Sequence, residues 1–281
     1  MSNTSVNDET KSGYLEIVNK DVDFSHFKFA LFDFDGTVSL LREGWQHIMA
    51  PMIVEFLKDT PNHEDDETLD KLAWDYIAQS TGIDTIYQMM FIADEVKKRG
   101  GKPLEPMDYK KEYLRRLMMR IQHRIEDVEN GKVNPLDVTV RGSIDFLQML
   151  ADKGIKMYVA SGTDHDDVVH EANAVGVAHH FGPHIYGALD NYLERSKAKV
   201  IKDILEKNEL RGDSLVVFGD GFVEIENSKQ AGGLAIGVAS DETNGCQLNE
   251  WKRERLIKAG ADVIISDFGD IEALKKLLFP Q

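Results

Sequence analysis

Phe29-Ala30-Leu31-Phe32-Asp33-Phe34-Asp35-Gly36-Thr37 is the stretch that decides the fold. Four apolar residues in a row fit a strand buried on both faces of a parallel sheet. The run ends in two acids with one residue between them, then a glycine. In open α/β sheets, ligands bind beyond the carboxyl ends of the strands. Asp33 and Asp35 therefore fall where chemistry is expected. Gly36 permits the sharp turn off the sheet that lets the two carboxylates converge.

Downstream of Pro135 the pattern alternates between helix and strand. TVRGSIDFLQMLADKG reads as a helix closed by Gly154, and IKMYVA as a strand ending at Ser161. DHDDVVHEANAVG reads as a helix with Asp164 as its N-cap. HIYG is a short strand, SKAKVIKDILEKN a helix capped by Ser196, and SLVVF a strand that stops at Gly219-Asp220. A short helix, GLAIGVA, NEWKRERLIKAG, ADVIIS and DIEALKKLL complete the series. Such alternation predicts an α/β fold with a doubly wound, mostly parallel sheet.

Between the two parts of this pattern the sequence changes character. From about Glu43 to Asn130 apolar residues recur at helical spacing in four segments, separated by Pro61-Asn62, Thr81-Gly82 and Gly100-Gly101 with Pro103. This predicts an all-α insert over 43–135, placed within an α/β core over 28–42 and 136–281, with residues 1–27 as an N-terminal extension. Methionines crowd the insert and read mainly as adaptable core filler.

Composition narrows the function. The chain of 281 residues carries 33 Lys and Arg against 49 Asp and Glu, a formal charge of −16. That surface repels nucleic acid and anionic lipid, which excludes them as expected partners. It also repels phosphorylated compounds, so a phosphate site here needs local positive charge. The sole cysteine, Cys246, rules out an intrachain disulfide. The polar start MSNTSVNDETKSG lacks a signal-peptide run, and no apolar stretch spans a bilayer; a cytoplasmic location is expected. The sequence leaves the oligomeric state open.

The other strand ends extend the constellation. Ser161-Gly162-Thr163 places a hydroxyl and open amides at a helix start, which suits phosphate oxygens. The helix opened by Ser196 brings Lys197 to the same edge; Lys199 in the same turn is the alternative. Gly219-Asp220-Gly221 follows, with Glu224 one helical turn on. Crowded carboxylates call for a cation, and hard oxygen ligands suit Mg²⁺. No cysteine or histidine set has zinc spacing. His165, His170, His179, His180 and His184 fit no metal template and read as surface or packing residues. The run Glu64-Asp65-Asp66-Glu67 reads as a solvated helix start.

The order DxDGT, a serine after an apolar strand, a lysine and then GDxxxE resembles the haloacid dehalogenase superfamily of phosphohydrolases. The likeness covers about residues 28–42 and 136–278, and the insert is similar to that superfamily's helical cap placed after the first motif. The resemblance implies a Rossmann-like core and a Mg²⁺-dependent hydrolase of a small phosphorylated metabolite, a sugar phosphate or a related monoester. It implies that Asp33 attacks phosphorus to give an aspartyl phosphate, and that Asp35 handles the proton of the leaving oxygen and of the hydrolytic water. Ser161 and the Gly162 amide would hold phosphoryl oxygens, and Lys197 would neutralise them. Asp33, the Asp35 carbonyl and Asp220 would bind Mg²⁺, with Glu224 in support, although Glu224 stands where aspartate is common and has the alternative reading of a helix-start acid favoured by the dipole. Asp35 favours phosphate over carbon–halogen chemistry, since halide leaves without a proton.

Two segments at the insert attract a substrate role. Arg42, beside Glu43, Gly44 and Trp45, reads either as a substrate contact or as a hinge ion pair. The TGIDT segment, 81–85, sits at a helix junction that can face the site. A phosphomutase using the same aspartyl phosphate, and a phosphate-binding module without turnover, are the competing readings.

Overall fold

A computed structural model describes residues 13–189, 196–244 and 247–280. Cys246 and most of the polar N-terminal stretch lie outside the described residues.

The predicted first strand is β2 (Phe29–Phe32), following a short β1 (Leu15–Ile17). The other strands are β3 (Lys156–Asp164), β4 (Ile185–Ala188), β5 (Leu215–Gly219), β6 (Leu234–Val238) and β7 (Val263–Ile265). They form one seven-stranded sheet in the order β1-β7-β6-β5-β2-β3-β4. All pairings are parallel except β1 with β7 at the edge. The sheet is thus the doubly wound, mostly parallel one that the alternation predicts. β2 lies in its middle, with Phe32 opposite Val159 on one side and Phe218 on the other. This register brings the ends of β2, β3 and β5 to one level.

Aromatic side chains anchor that level. Phe32 stacks on Phe218 at 4.7 Å between ring centres, and Phe146 packs edge-on to Phe32 at 6.3 Å. All three are fully buried. A buried side chain of this size contributes roughly 1.5–3 kcal/mol relative to exposure, so the floor beneath Asp33 is stiff.

Four helices fill the stretch between β2 and the rest of the core: α1 (Gln46–Lys58), α2 (Asp66–Ser80), α3 (Thr85–Lys98) and α4 (Pro106–Glu129). α1 packs on α2 and α3 on α4. Tyr76 of α2 stacks on Phe91 of α3 at 3.5 Å, and Phe56 of α1 meets Tyr109 of α4 edge-on at 4.7 Å. The acidic run serves α2: Asp65 accepts from the Thr68 amide as its N-cap, and Glu64 pairs with Arg99.

The core helices follow the predicted order: α5 (Ser143–Asp152), α6 (His165–Ala174), a one-turn α7 (Ala178–Phe181), α8 (Lys197–Lys207), α9 (Phe222–Gln230), α10 (Glu250–Lys258) and α11 (Ile271–Leu278). Ser196 caps α8 as expected, its hydroxyl accepting from the Lys199 amide. Asp164 stands at the N-cap position of α6 but makes no capping bond; its carboxylate pairs with buried Lys110 of α4 instead. A cation from the helical layer outcompetes the local amide, because the carboxylate gains more from an ammonium than from a neutral donor. None of the helices among the described residues is long and apolar enough to cross a membrane.

Candidate active site

The site is assembled at the carboxyl ends of β2, β3 and β5. Asp33 continues β2 by donating its amide to the Phe218 carbonyl, 2.9 Å. Its Oδ1 accepts from the Phe34 amide at 2.8 Å and its Oδ2 from Lys197 Nζ at 2.8 Å. Lys197, in the first turn of α8, also donates to Glu224 Oε2 at 3.0 Å. Glu224 Oε1 in turn accepts from the Gly221 amide at 2.7 Å. Asp33, Lys197 and Glu224 are all buried.

Charge governs this cluster. Burial pushes the Asp33 carboxyl well above the usual carboxylate range, and Glu224 and Asp220 push the same way against the pull of Lys197. Burial alone disfavours the Lys197 ammonium, but Asp33 and Glu224 outweigh it and hold the proton on more tightly than in water. One oxygen each from Asp33, Asp220 and Glu224 lie within 4.8 Å of one another.

Asp35 faces the cluster from the next turn. Its Oδ2 accepts from Thr163 Oγ1 at 2.8 Å and from Ser161 Oγ at 3.3 Å. Its Oδ1 is buried with no hydrogen-bond partner, and the nearest cation, Arg42 Nε, is 3.9 Å away. A buried acceptor left open in a cleft is poised for a group that the cleft receives. Gly36 makes the turn with φ +75°, and a β-carbon there would stand 2.4 Å from Asp220 Oδ2. Only glycine meets both conditions. The Thr37 hydroxyl reaches the other Asp220 oxygen at 3.4 Å.

A cleft of about 100 Å³ opens above these groups. Asp33, Asp35, Ser161, Gly162, Lys197 and Asp220 all line it, so the structure brings together the residues that the sequence singled out. Glu224 lies just beneath, bonded to Lys197, and Lys199 is exposed on the outer side of α8. The roof comes from the helical layer: Trp45, Thr81, Gly82, Ile83, Thr85 and Tyr113. The 81–85 segment does face the site, and the Asp84 backbone sits over Gly162.

Arg42 lines the cleft but is committed elsewhere. Its Nε and Nη2 bind Glu171 Oε1 at 2.9 and 2.6 Å, and Nη2 reaches Asp167 at 3.2 Å. Both acids belong to α6, so this is the ion pair at the hinge between core and insert. The histidines take packing and surface positions: His170 meets Glu129, His179 lies against His180, and His184 against Tyr158.

Three participants escaped the sequence. Thr163 was legible only as part of an open turn. Glu242 lines the cleft, and Lys252 of α10 donates to Asp220 Oδ2 and Glu242 Oε1, both at 2.7 Å. Lys252 sits in a charged helix, NEWKRERLIK, where nothing local distinguishes it from a solvated lysine. Only the sheet topology, which lays α10 against β6, carries it to the rim.

A parallel sheet whose strand ends gather acids and lysines under a helical roof defines an α/β protein with a buried, highly charged polar site. The chain belongs to the haloacid dehalogenase-like hydrolases, whose family model matches residues 27–232. Solved structures share the fold. A predicted phosphoglycolate phosphatase from Haemophilus somnus 129PT aligns with a TM-score of 0.57 at 18% identity, covering 90% of this chain and 100% of its own. A predicted phosphatase from Clostridium acetobutylicum aligns with a TM-score of 0.57 at 19% identity, covering 90% and 98%. A HAD family hydrolase from Deinococcus radiodurans R1, with bound phosphate and sodium, aligns with a TM-score of 0.53 at 18% identity, covering 92% and 100%. No curated protein matches the sequence.

Proposed function

We propose that this hydrolase is a Mg²⁺-dependent phosphatase that acts on a small phosphorylated metabolite through a phosphoryl-Asp33 intermediate. The observation that carries the reading is the Asp33–Lys197–Glu224 cluster with Asp35 beside it, hydrogen-bonded to Thr163 and Ser161. The predicted phosphatases among the structural neighbours, and the phosphate held by one of them, lend it support.

The donor set suits the metal. Asp33, Asp220 and Glu224 offer hard carboxylate oxygens within 4.8 Å, with no sulfur or imidazole among them. Asp33, Asp220 and the Asp35 carbonyl would hold the ion, with Glu224 in reserve. When bound, the ion would supply positive charge that offsets the repulsion between a carboxylate nucleophile and a phosphate ester.

The chain's own residues carry the steps. Lys197 keeps its proton and offers charge to the phosphoryl oxygens and to Asp33. The Ser161 hydroxyl and the Gly162 amide hold further phosphoryl oxygens. Asp33 attacks phosphorus; the new Asp33 O–P bond forms as the bond to the leaving oxygen breaks. Asp35 gives that oxygen its proton. Asp35, now ionised, takes a proton from water, which attacks the phosphoryl-Asp33 and frees phosphate. A general acid and base of this kind contributes about 10²–10⁴-fold.

The leaving group points towards a polyhydroxylated metabolite. A second cleft of about 400 Å³ adjoins the first through Glu43, Thr81 and Glu242. It carries Trp74 and Trp251 with Gln46 and Asn249. Aromatic faces beside amide groups suit the alternating C–H and O–H surface of a sugar.

The test is a panel of phosphate monoesters, sugar phosphates included, assayed for phosphate release with and without Mg²⁺. Release that requires Mg²⁺ and favours sugar phosphates is expected. No Mg²⁺-dependent release from any member contradicts the proposal. Transfer of the phosphoryl group to a second position of the sugar, without free phosphate, would mark a mutase instead.

A further inference from the structure

The active-site rim holds two buried lysines, and the scheme above uses one. Lys252 enters from the first turn of α10, whose N-cap is Asn249. It is only 6% exposed, yet it reaches two acids at 2.7 Å: Asp220, a candidate metal ligand, and Glu242, a wall of the cleft. Its position is fixed from both sides. Arg255, one turn further on, donates to the Ala78 and Gln79 carbonyls at the end of α2 and packs over the Phe222 ring. Neither acid partner is spare, because both face the space that a cation and a phosphoryl group would share.

The charges explain what such a lysine does. The carboxyl groups of Asp33, Asp35, Asp220, Glu224 and Glu242 outnumber the cations beside them, Lys197, Lys252 and Arg42, the last 3.9 Å from Asp35. The excess attracts a divalent cation and repels a phosphate ester. An ammonium on Asp220 and Glu242 acts on the two in opposite senses, since like charges repel and unlike charges attract across a short, poorly solvated distance.

We propose that Lys252 is a charge-balancing residue of this site: its ammonium loosens the hold of Asp220 and Glu242 on the divalent cation and strengthens the hold of the site on the phosphoryl group. It acts through Asp220 and Glu242 rather than on the reacting atoms. The proposal rests on the phosphatase reading.

The sign of the effect separates this role from simple support of Asp220. Calorimetric titration of the full chain gives the affinity for Mg²⁺ alone and, separately, for inorganic phosphate with Mg²⁺ saturating. Lys252→Met is expected to bind Mg²⁺ about tenfold more tightly and phosphate about tenfold more weakly. Lys252→Arg, which keeps the charge, restores both towards the wild type. Glu242→Gln removes a charge of the opposite sign and shifts each constant the other way; it decides the matter if Lys252→Met fails to fold. Loss of both affinities in Lys252→Met, or no change in Glu242→Gln, overturns the proposal. Wild-type protein that binds neither Mg²⁺ nor phosphate overturns the phosphatase reading and this one with it, whereas wild-type binding of both with same-direction shifts in the variants overturns this one alone.

Discussion

Gly82 of the helical insert and Gly221 of the core meet backbone to backbone. A β-carbon on Gly82 would stand 2.9 Å from Gly221 Cα, and one on Gly221 would stand 2.8 Å from Gly82 Cα. Gly82 also holds φ at +94°, which side chains other than hydrogen rarely adopt. The roof of the cleft is therefore seated directly on the strand end that carries Asp220. Gly82→Ala should cost about 1 kcal/mol or more from backbone strain alone and lift the 81–85 segment off the rim. Urea denaturation should show the loss, and kcat/KM for the best phosphate ester should fall with it. Unchanged stability and kcat/KM would show that the contact is not needed.

Thr163 offers a finer test of the proton-transfer role proposed for Asp35. Its hydroxyl is the shorter of the two bonds to Asp35 Oδ2, 2.8 Å against 3.3 Å from Ser161. Thr163→Val keeps the shape and removes the donor. A lost hydrogen bond to a charged group is worth about 1.5–3 kcal/mol, so kcat should fall by about tenfold or more. Thr163→Ser should recover most of it. Equal kcat in the valine variant would mean that Asp35 is oriented by something else.

The Arg42–Glu171 pair predicts a stability effect. Both side chains are buried and the guanidinium grips the carboxylate through two nitrogens. Removing one partner leaves the other charge unpaired in the interior, at a cost of about 3–5 kcal/mol. Arg42→Met should show that loss in urea denaturation, and the double variant Arg42→Met with Glu171→Met should regain much of it. A single variant as stable as the wild type would place the pair among the weak surface bridges.

Asp84 sets a pH dependence. Burial raises its carboxyl above the ordinary range, with Lys197 and Lys110 opposing. The folded state therefore holds this proton more firmly than the unfolded chain. The associated stability is present below the unfolded value of about 3.9 and is lost as the pH rises through the higher folded value. Asp84→Asn removes the cost of ionisation, so its Tm should exceed that of the wild type at pH 7, with the gain shrinking towards pH 4. A gain that is constant across that range would assign the effect to packing.

Much of this was legible in the chain, and the division has a physical basis. Strand ends are local signals: a continuous apolar run followed by Asp33-Phe34-Asp35-Gly36 marks β2 and its turn without any tertiary knowledge. Helical periodicity marks α1–α4 for the same reason. Lys252 was not legible, because its significance comes from where α10 packs, and its sequence neighbours are as charged as those of any exposed helix. Arg42 was visible as a hinge residue, but its partner Glu171 lies 129 positions away on α6. Asp164 shows the converse: a correct helix start whose side chain is drawn off by Lys110 from the insert.

Asp33 as the nucleophile is the step on which the proposed phosphatase chemistry depends. The direct measurement is to quench turnover of a good phosphate ester with acid, in the presence of Mg²⁺, and to map the phosphorylated peptide by mass spectrometry beside an Asp33→Asn control. Phosphate on the peptide carrying Asp33, and a roughly 10³-fold loss of release in the variant, is the predicted result. Phosphate release from Asp33→Asn at the wild-type rate, or label on a different residue, would contradict it.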